Sequence, residues 1–236
     1  MIARCLLALA AATAGAAAHA ATLTPYVAHY EVMRNGKPLG TGTVTLEPDG
    51  RGHWQLTSVT EGTRGLASLA GVEIRERSVV DVRDDAIETL DYTYTQSAGW
   101  KTRKRSVRFD HANKRIVSRD RDREFGFDLQ AGVLDRQAVS LALSRDVARG
   151  KTGRLSYTVV DRDELGPQDF VVGPRESVPT PGGNLAAVRV DRERKDGRGR
   201  TTTSWLGIEQ GFVPVRVLQT EADGDSFDMR LVSIER

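Results

Sequence analysis

The chain has a single cysteine, Cys5. Everything after it lacks thiols, disulfides and cysteine-ligated metal. Charge of one sign is also missing: 34 Lys and Arg face 32 Asp and Glu, for a net of +2. Nucleic-acid binders carry a strong or one-sided basic excess, so this balance argues against that class. No apolar stretch beyond the first twenty residues approaches the ~20 strongly apolar residues of a membrane-spanning helix. His29, His53 and His111 stand apart in sequence, without the His-x-x-x-His or Glu-x-x-His spacing of zinc ligands. Ser68 sits in GLASLAG, which is not a nucleophile elbow. The acidic pairs Asp120/Asp122, Asp161/Asp163 and Asp223/Asp225 lack the later bidentate acid that completes a calcium loop, and they read as turn residues. The expectation is a protein that is not an enzyme and has no metal and no cofactor.

What is present begins with an export signal. MIARCLLALAAATAGAAAHA has one early positive charge at Arg4, an Ala- and Leu-rich apolar run, and Ala18-His19-Ala20 at its end. Basic start, apolar centre and small residues at −3 and −1 form a cleavable secretory signal. Cleavage is expected after Ala20, giving a periplasmic chain of 216 residues (236 less 20) as one β-rich domain, 21–236. Without Arg4 that chain has 33 basic and 32 acidic residues. With no disulfide to staple it, it must be held by its own core.

The pattern of that domain is strand after strand. Tyr26, Ala28, Tyr30 and Val32 alternate with polar neighbours, and Asn35-Gly36 follows as a hairpin turn. In residues 86–96, Leu90, Tyr92 and Tyr94 share one face, while Thr89, Asp91, Thr93 and Thr95 share the other. Further strands are expected at 39–47, 53–60, 72–82, 154–163, 168–174, 185–194, 200–209, 213–222 and 226–235. Residues 62–71 break the rhythm with helical spacing of Leu66, Leu69 and Ala70, which predicts a short helical turn. Residues 135–149 form the one long helix. Val139, Leu143 and Val147 recur every four, Asp135 is placed to cap the start, and Gly150 to end it. The fold class is therefore mainly β: an antiparallel sheet curled into a half-barrel or open barrel, covered by one long and one short helix.

Residues 101–123 hold ten basic and three acidic side chains. They read as a β-hairpin turning at 110–114, with charge on both faces, because Arg103 shares parity with Val107 and Lys104 with Arg108. Arg103, Lys104, Arg105 and Arg108 are the candidates for an anion or partner patch, weighed against an ordinary solvated sheet surface. The stretch lacks the interleaved aromatics that stack nucleic-acid bases.

Several segments together resemble the exported bacterial proteins grouped as domain-of-unknown-function family 3108. They are YVAHYEVMRNGKPLGTGTVTL, GLASLAG, LDRQAVSLALSRDV, YTVVD and TTTSWLGIEQGFVPVRVLQ, spanning nearly all of 25–235. Where the family often has Asp-Pro before the helix, this chain has Asp135-Arg136. The ending, a tryptophan strand followed by Pro-x-Arg and a last strand, also resembles LolA-type lipoprotein carriers, periplasmic half-barrels that shelter lipid chains under a helix. That second resemblance implies an apolar concavity for a lipid-like or lipidated ligand. Trp54, Tyr92, Tyr94, Trp205 and Phe212 are its candidate wall, with core packing the competing role for each. Two alternatives stand beside it. One is an envelope-assembly protein binding a partner through the basic hairpin. The other is a hydrolase on polysaccharide or peptide, which requires acids or histidines to converge in one cleft.

Overall fold

Alternating apolar and polar residues, broken by turn-forming glycine, asparagine and aspartate, make a chain of hairpins. The computed structural model describes residues 23–83, 86–194, 197 and 199–236; the expected signal at 1–20 lies outside them. The strands of the first half are β1 (Tyr26–Arg34), β2 (Lys37–Pro48), β3 (Trp54–Gly62), β4 (Glu73–Arg83), β5 (Ala86–Ala98), β6 (Lys101–Asp110), β7 (Arg115–Asp120) and β8 (Arg123–Asp128). A short helix, α1 (Gly65–Leu69), interrupts them between β3 and β4. A two-residue strand, β9 (Leu134–Asp135), leads into α2 (Ala138–Ala148). Then come β10 (Gly153–Asp161), β11 (Glu164–Thr180), β12 (Gly183–Glu193), β13 (Thr201–Gly207), β14 (Pro214–Thr220) and β15 (Ser226–Glu235).

All fifteen strands belong to one sheet, in the order β8-β7-β6-β5-β4-β3-β2-β1-β15-β14-β13-β12-β11-β10-β9. Sequential neighbours pair antiparallel; the long-range step is β1 to β15, which joins the two halves. The β9–β10 pair at the far edge is parallel. The sheet curls but does not close, as expected of an open barrel. Its two edges face each other through side chains instead: Tyr92, Tyr94, Val107, Phe109 and Ile116 from one end pack in one cluster with Val133 and Val160 from the other.

Inside the curl lies α2. Its Val139, Leu143 and Val147, with Leu141, pack against Leu46, Leu56 and Val80 of one half of the sheet and Val159, Val190 and Leu206 of the other. A helix apolar on most of its circumference has to be enclosed in this way. The helix is shorter at its start than the sequence suggests, because Asp135 belongs to β9. Its carboxylate nevertheless receives the first-turn N–H groups, at 2.7 Å from Gln137 and 2.9 Å from Ala138. Its other oxygen accepts from the Ser78 hydroxyl at 2.5 Å, and its backbone N–H donates to Thr89 Oγ1 at 3.3 Å. One fully buried residue thus ties β4, β5, β9 and α2 together across the seam, by its carboxylate and its backbone N–H.

The longest strand, β11, was expected only at 168–174, because Pro167, Pro174 and Pro179 interrupt its pattern. Proline cannot donate to a ladder, so it belongs where a strand has a neighbour on one side or a bulge. Here β10 pairs with Glu164 to Val172 and β12 with Asp169 to Thr180, and Pro174 falls in a register shift between Val172 and Arg175. All three prolines thus avoid the doubly paired segment.

Burial pushes the Asp135 carboxyl up to about 6 from its ordinary value near 3.8. The folded chain therefore holds this proton more tightly than the unfolded chain does between those values. Stability should fall as pH rises from about 4 to 6, by on the order of 2–3 kcal/mol from this group. Asp135→Asn keeps the acceptor for the helix N–H groups and should remove that slope, whereas Asp135→Ala orphans buried partners and should cost several kcal/mol at any pH. Urea titrations of the three proteins at pH 4 and 7 read both effects.

Packing makes a second contrast. Leu143→Ala removes a side chain only 4% exposed and should cost about 2–5 kcal/mol. Leu69→Ala, at a residue 86% exposed, should stay within about 0.5 kcal/mol. Denaturant midpoints at one pH decide it.

Candidate functional site

The helix that fills the curl does not fill it evenly. Its large residues, Val139, Leu143 and Val147, occupy one stripe, while Ser140, Ser144 and Ala148 recur every four on another. Residues four apart share a helix face, so the small stripe stands back from the sheet. A cavity of about 720 Å³ opens there, in the range of small-molecule sites. Its wall is mostly apolar: Tyr26 and Tyr30 of β1, Val44 and Leu46 of β2, Leu56 of β3, Val217 of β14 and Met229 of β15. Polar groups interrupt this wall: hydroxyls come from Thr24, Ser58, Ser140, Ser144 and Ser204, amides from Gln137 and Gln210, and charges from Arg145, Glu209 and Arg236. The Oε1 atoms of Gln137 and Gln210 are buried with no hydrogen-bond partner among the described residues.

One end of the cavity is bounded by the loop between β13 and β14. Gly211 and Phe212 both have left-handed backbones, with φ of 67° and 61°. For a phenylalanine this conformation costs on the order of 1–2 kcal/mol and needs surrounding support. Support comes from Gly207, whose N–H donates to Val213 O at 3.0 Å and whose carbonyl accepts from Phe212 N–H at 2.8 Å. Tyr30 adds to it by donating its hydroxyl to Pro214 O at 2.9 Å. Burial raises the Tyr26 hydroxyl to about 12 and holds that of Tyr30 well above its ordinary value, so both remain neutral and act as apolar wall with one donor.

Of the five aromatics singled out from sequence, Phe212 lines this cavity. The other four are placed elsewhere. Trp54 packs on the outskirts of the central cluster. Tyr92 and Tyr94 belong to the seam cluster. Trp205 follows Ser204, which lines the cavity, and by strand alternation it points to the opposite face. There its indole N–H donates to Glu176 at 2.7 Å, and the Arg216 guanidinium lies 5.0 Å over its ring. For these four, core packing is the role the fold assigns. The residues that sequence reasoning missed are the serine stripe of α2 and the polar ends, Gln137 and Gln210. The four-residue spacing of Ser140, Ser144 and Ala148 was the available signal.

The basic candidates also separate. Arg103 and Arg105 share the inward face of β6 with Val107 and Phe109, and both turn to Asp120 of β7, at 2.8 and 3.4 Å. Asp120 is 3% exposed, and the hydrogen bonds from Arg103, with the nearby Arg105 charge, hold its carboxyl below the usual range. Arg105 also stands 4.8 Å over the Tyr94 ring. These two arginines close the seam. Lys104 and Arg108 point outward and are exposed. The four residues therefore do not form one patch, and Asp120 is a buried ion-pair partner rather than a turn residue.

Comparison with known proteins places this architecture. No curated protein matches the chain. Among solved structures, the crystal structure of a beta-barrel-like protein of domain of unknown function DUF1849 from Brucella abortus superposes with a TM-score of 0.57. The identity is 12%, over 90% of this chain and 98% of that one, so the likeness is one of fold. Neither finding bears on the likeness to LolA-type carriers. Residues 26–232 match the family described as protein of unknown function DUF3108, and the chain belongs to that family.

Proposed function

We propose that this protein is an exported, non-catalytic carrier or sensor that holds a lipid-like ligand between α2 and the concave face of the sheet. The observation that carries the reading is the cavity of about 720 Å³, with a wall that is mostly apolar and interrupted by polar groups. Burying an alkyl chain against such a wall contributes roughly 0.8 kcal/mol per methylene, enough to retain a long chain without any single strong contact. Unpartnered amide oxygens on Gln137 and Gln210 suit a ligand whose head carries a hydroxyl or amide donor. The signal-like segment at 1–20 supports delivery to the periplasm, where a lipid in transit needs cover from water.

The cavity follows from small residues on α2, so filling it is the test. Ser144→Phe should project a ring into the space while leaving the Val139–Leu143–Val147 stripe in place. Protein purified without detergent from a native periplasm would be extracted with organic solvent and weighed by mass spectrometry. A stoichiometric lipid is expected in the wild type and in Trp205→Phe, whose site is outside the cavity, and is expected to be lost in Ser144→Phe. An empty wild type that also takes up no fluorescent fatty acid would end the reading.

A further inference from the structure

Two large apolar side chains stand out on the surface. Trp100 is 92% exposed and Leu69 is 86% exposed. Single exposed apolar residues are ordinary. The segments that carry these two are joined: the Gly99 N–H donates to Ala70 O at 2.5 Å, which ties the β5–β6 turn to the end of α1. Neither belongs to a loose tail. The N–H groups of Thr63 and Arg64 both donate to Leu39 O at 3.1 Å, and Val72 N–H donates to Ala67 O at 3.0 Å, so α1 is held on the sheet. The Gly99 backbone has φ of 57°, as a tight two-residue hairpin requires, and this turn carries Trp100 at its tip. The fold thus holds the backbone firmly and leaves both side chains in water.

Arg64 precedes α1, Lys101 follows Trp100, and Lys104 and Arg121 are brought together by the Arg121 N–H to Lys104 O bond at 3.3 Å. All four are exposed, and none has an ion-pair partner among the described residues. The acids at the same end include Glu61, Asp122 and Glu73, the last held 3.4 Å from Arg75, and, across the seam, Asp161, which acts on the Arg103 charge and lies 3.9 Å from Arg162. A protruding indole and an exposed leucine on joined turns, with unpaired cations on the same segments and on the adjoining strand, have the chemistry of an interfacial anchor. The indole suits the boundary between headgroup and hydrocarbon, and lysine and arginine stems lie along it with their charges at the phosphates.

We propose that the Leu69–Trp100 tip docks this protein on an anionic phospholipid bilayer, with Trp100 entering the interface and Arg64, Lys101, Lys104 and Arg121 meeting the lipid phosphates. The inference does not depend on the cavity being occupied.

The test uses the purified protein and sedimentation with two kinds of vesicle: phosphatidylcholine alone, and equal parts phosphatidylcholine and phosphatidylglycerol. Binding is expected to the anionic vesicles, to weaken with added salt, and to drop about fivefold for each of Lys101→Gln and Lys104→Gln. Trp100→Ala, at a site too exposed to affect folding, should lower affinity about tenfold. Brominated lipid should quench the wild-type fluorescence, and that quenching should disappear in Trp100→Ala although Trp54 and Trp205 remain. A wild type that sediments with neither vesicle overturns the proposal and turns attention to an acidic protein partner. So does binding that is indifferent to Trp100→Ala with no quenching.

Discussion

A sheet that curls through fifteen strands without closing leaves two edges to be joined by something other than a ladder. In this protein the joint is made by side chains, and Asp135 is at its centre. Its carboxylate stands where β9 ends and α2 begins, accepting from the helix with one oxygen and from Ser78 of β4 with the other. Burying a carboxylate is costly unless its lone pairs are met. Here three donors meet them, and the geometry they impose sets where α2 enters the curl. The position of the helix, the packing of its valine and leucine stripe, and the space left beside its serine stripe all follow from that joint.

Around the joint the chain uses charge as mortar. Glu76 accepts from the Tyr92 hydroxyl at 2.8 Å and lies 3.3 Å from Arg136. Arg103 and Arg105 converge on Asp120. Arginine fits such positions because its planar fork can satisfy a carboxylate while its face lies on an aromatic ring, as Arg105 does over Tyr94. This is why a segment so rich in cations does not act as one basic surface: alternate residues are taken up by the interior, and the exposed remainder is divided between the two ends, Lys101, Lys104 and Arg121 at one and Arg108, Lys114 and Arg115 at the other.

Much of the fold was legible in the residues. Alternation in β1, the Asn35-Gly36 turn and the hairpin turning at 110–114 each carry their own local cause, whereas in β5 a register shift at Leu90 turns Thr89 to the buried side that the alternation gave to Leu90, Tyr92 and Tyr94. The long helix was readable from Val139, Leu143 and Val147. The site was less legible. Aromatic side chains look the same whether they line a cavity or fill a core, and four of the five singled out lie in packed clusters. Phe212 reached the cavity through a left-handed backbone supported by Gly207 and Tyr30, a conformation that local propensity disfavours.

By itself the sequence determined the elements: which segments alternate with period two, which has period near four, where turns interrupt, and that no disulfide holds them. Those properties are written in neighbouring residues and in the preferences of the backbone. Only the tertiary structure decided which side of each element became wall, seam or solvent. That choice depends on pairs far apart in the chain: Asp135 with Ser78, Trp205 with Glu176, and the Leu69 turn with the Trp100 turn. A cavity is a property of what fails to touch, and no single strand or helix records it.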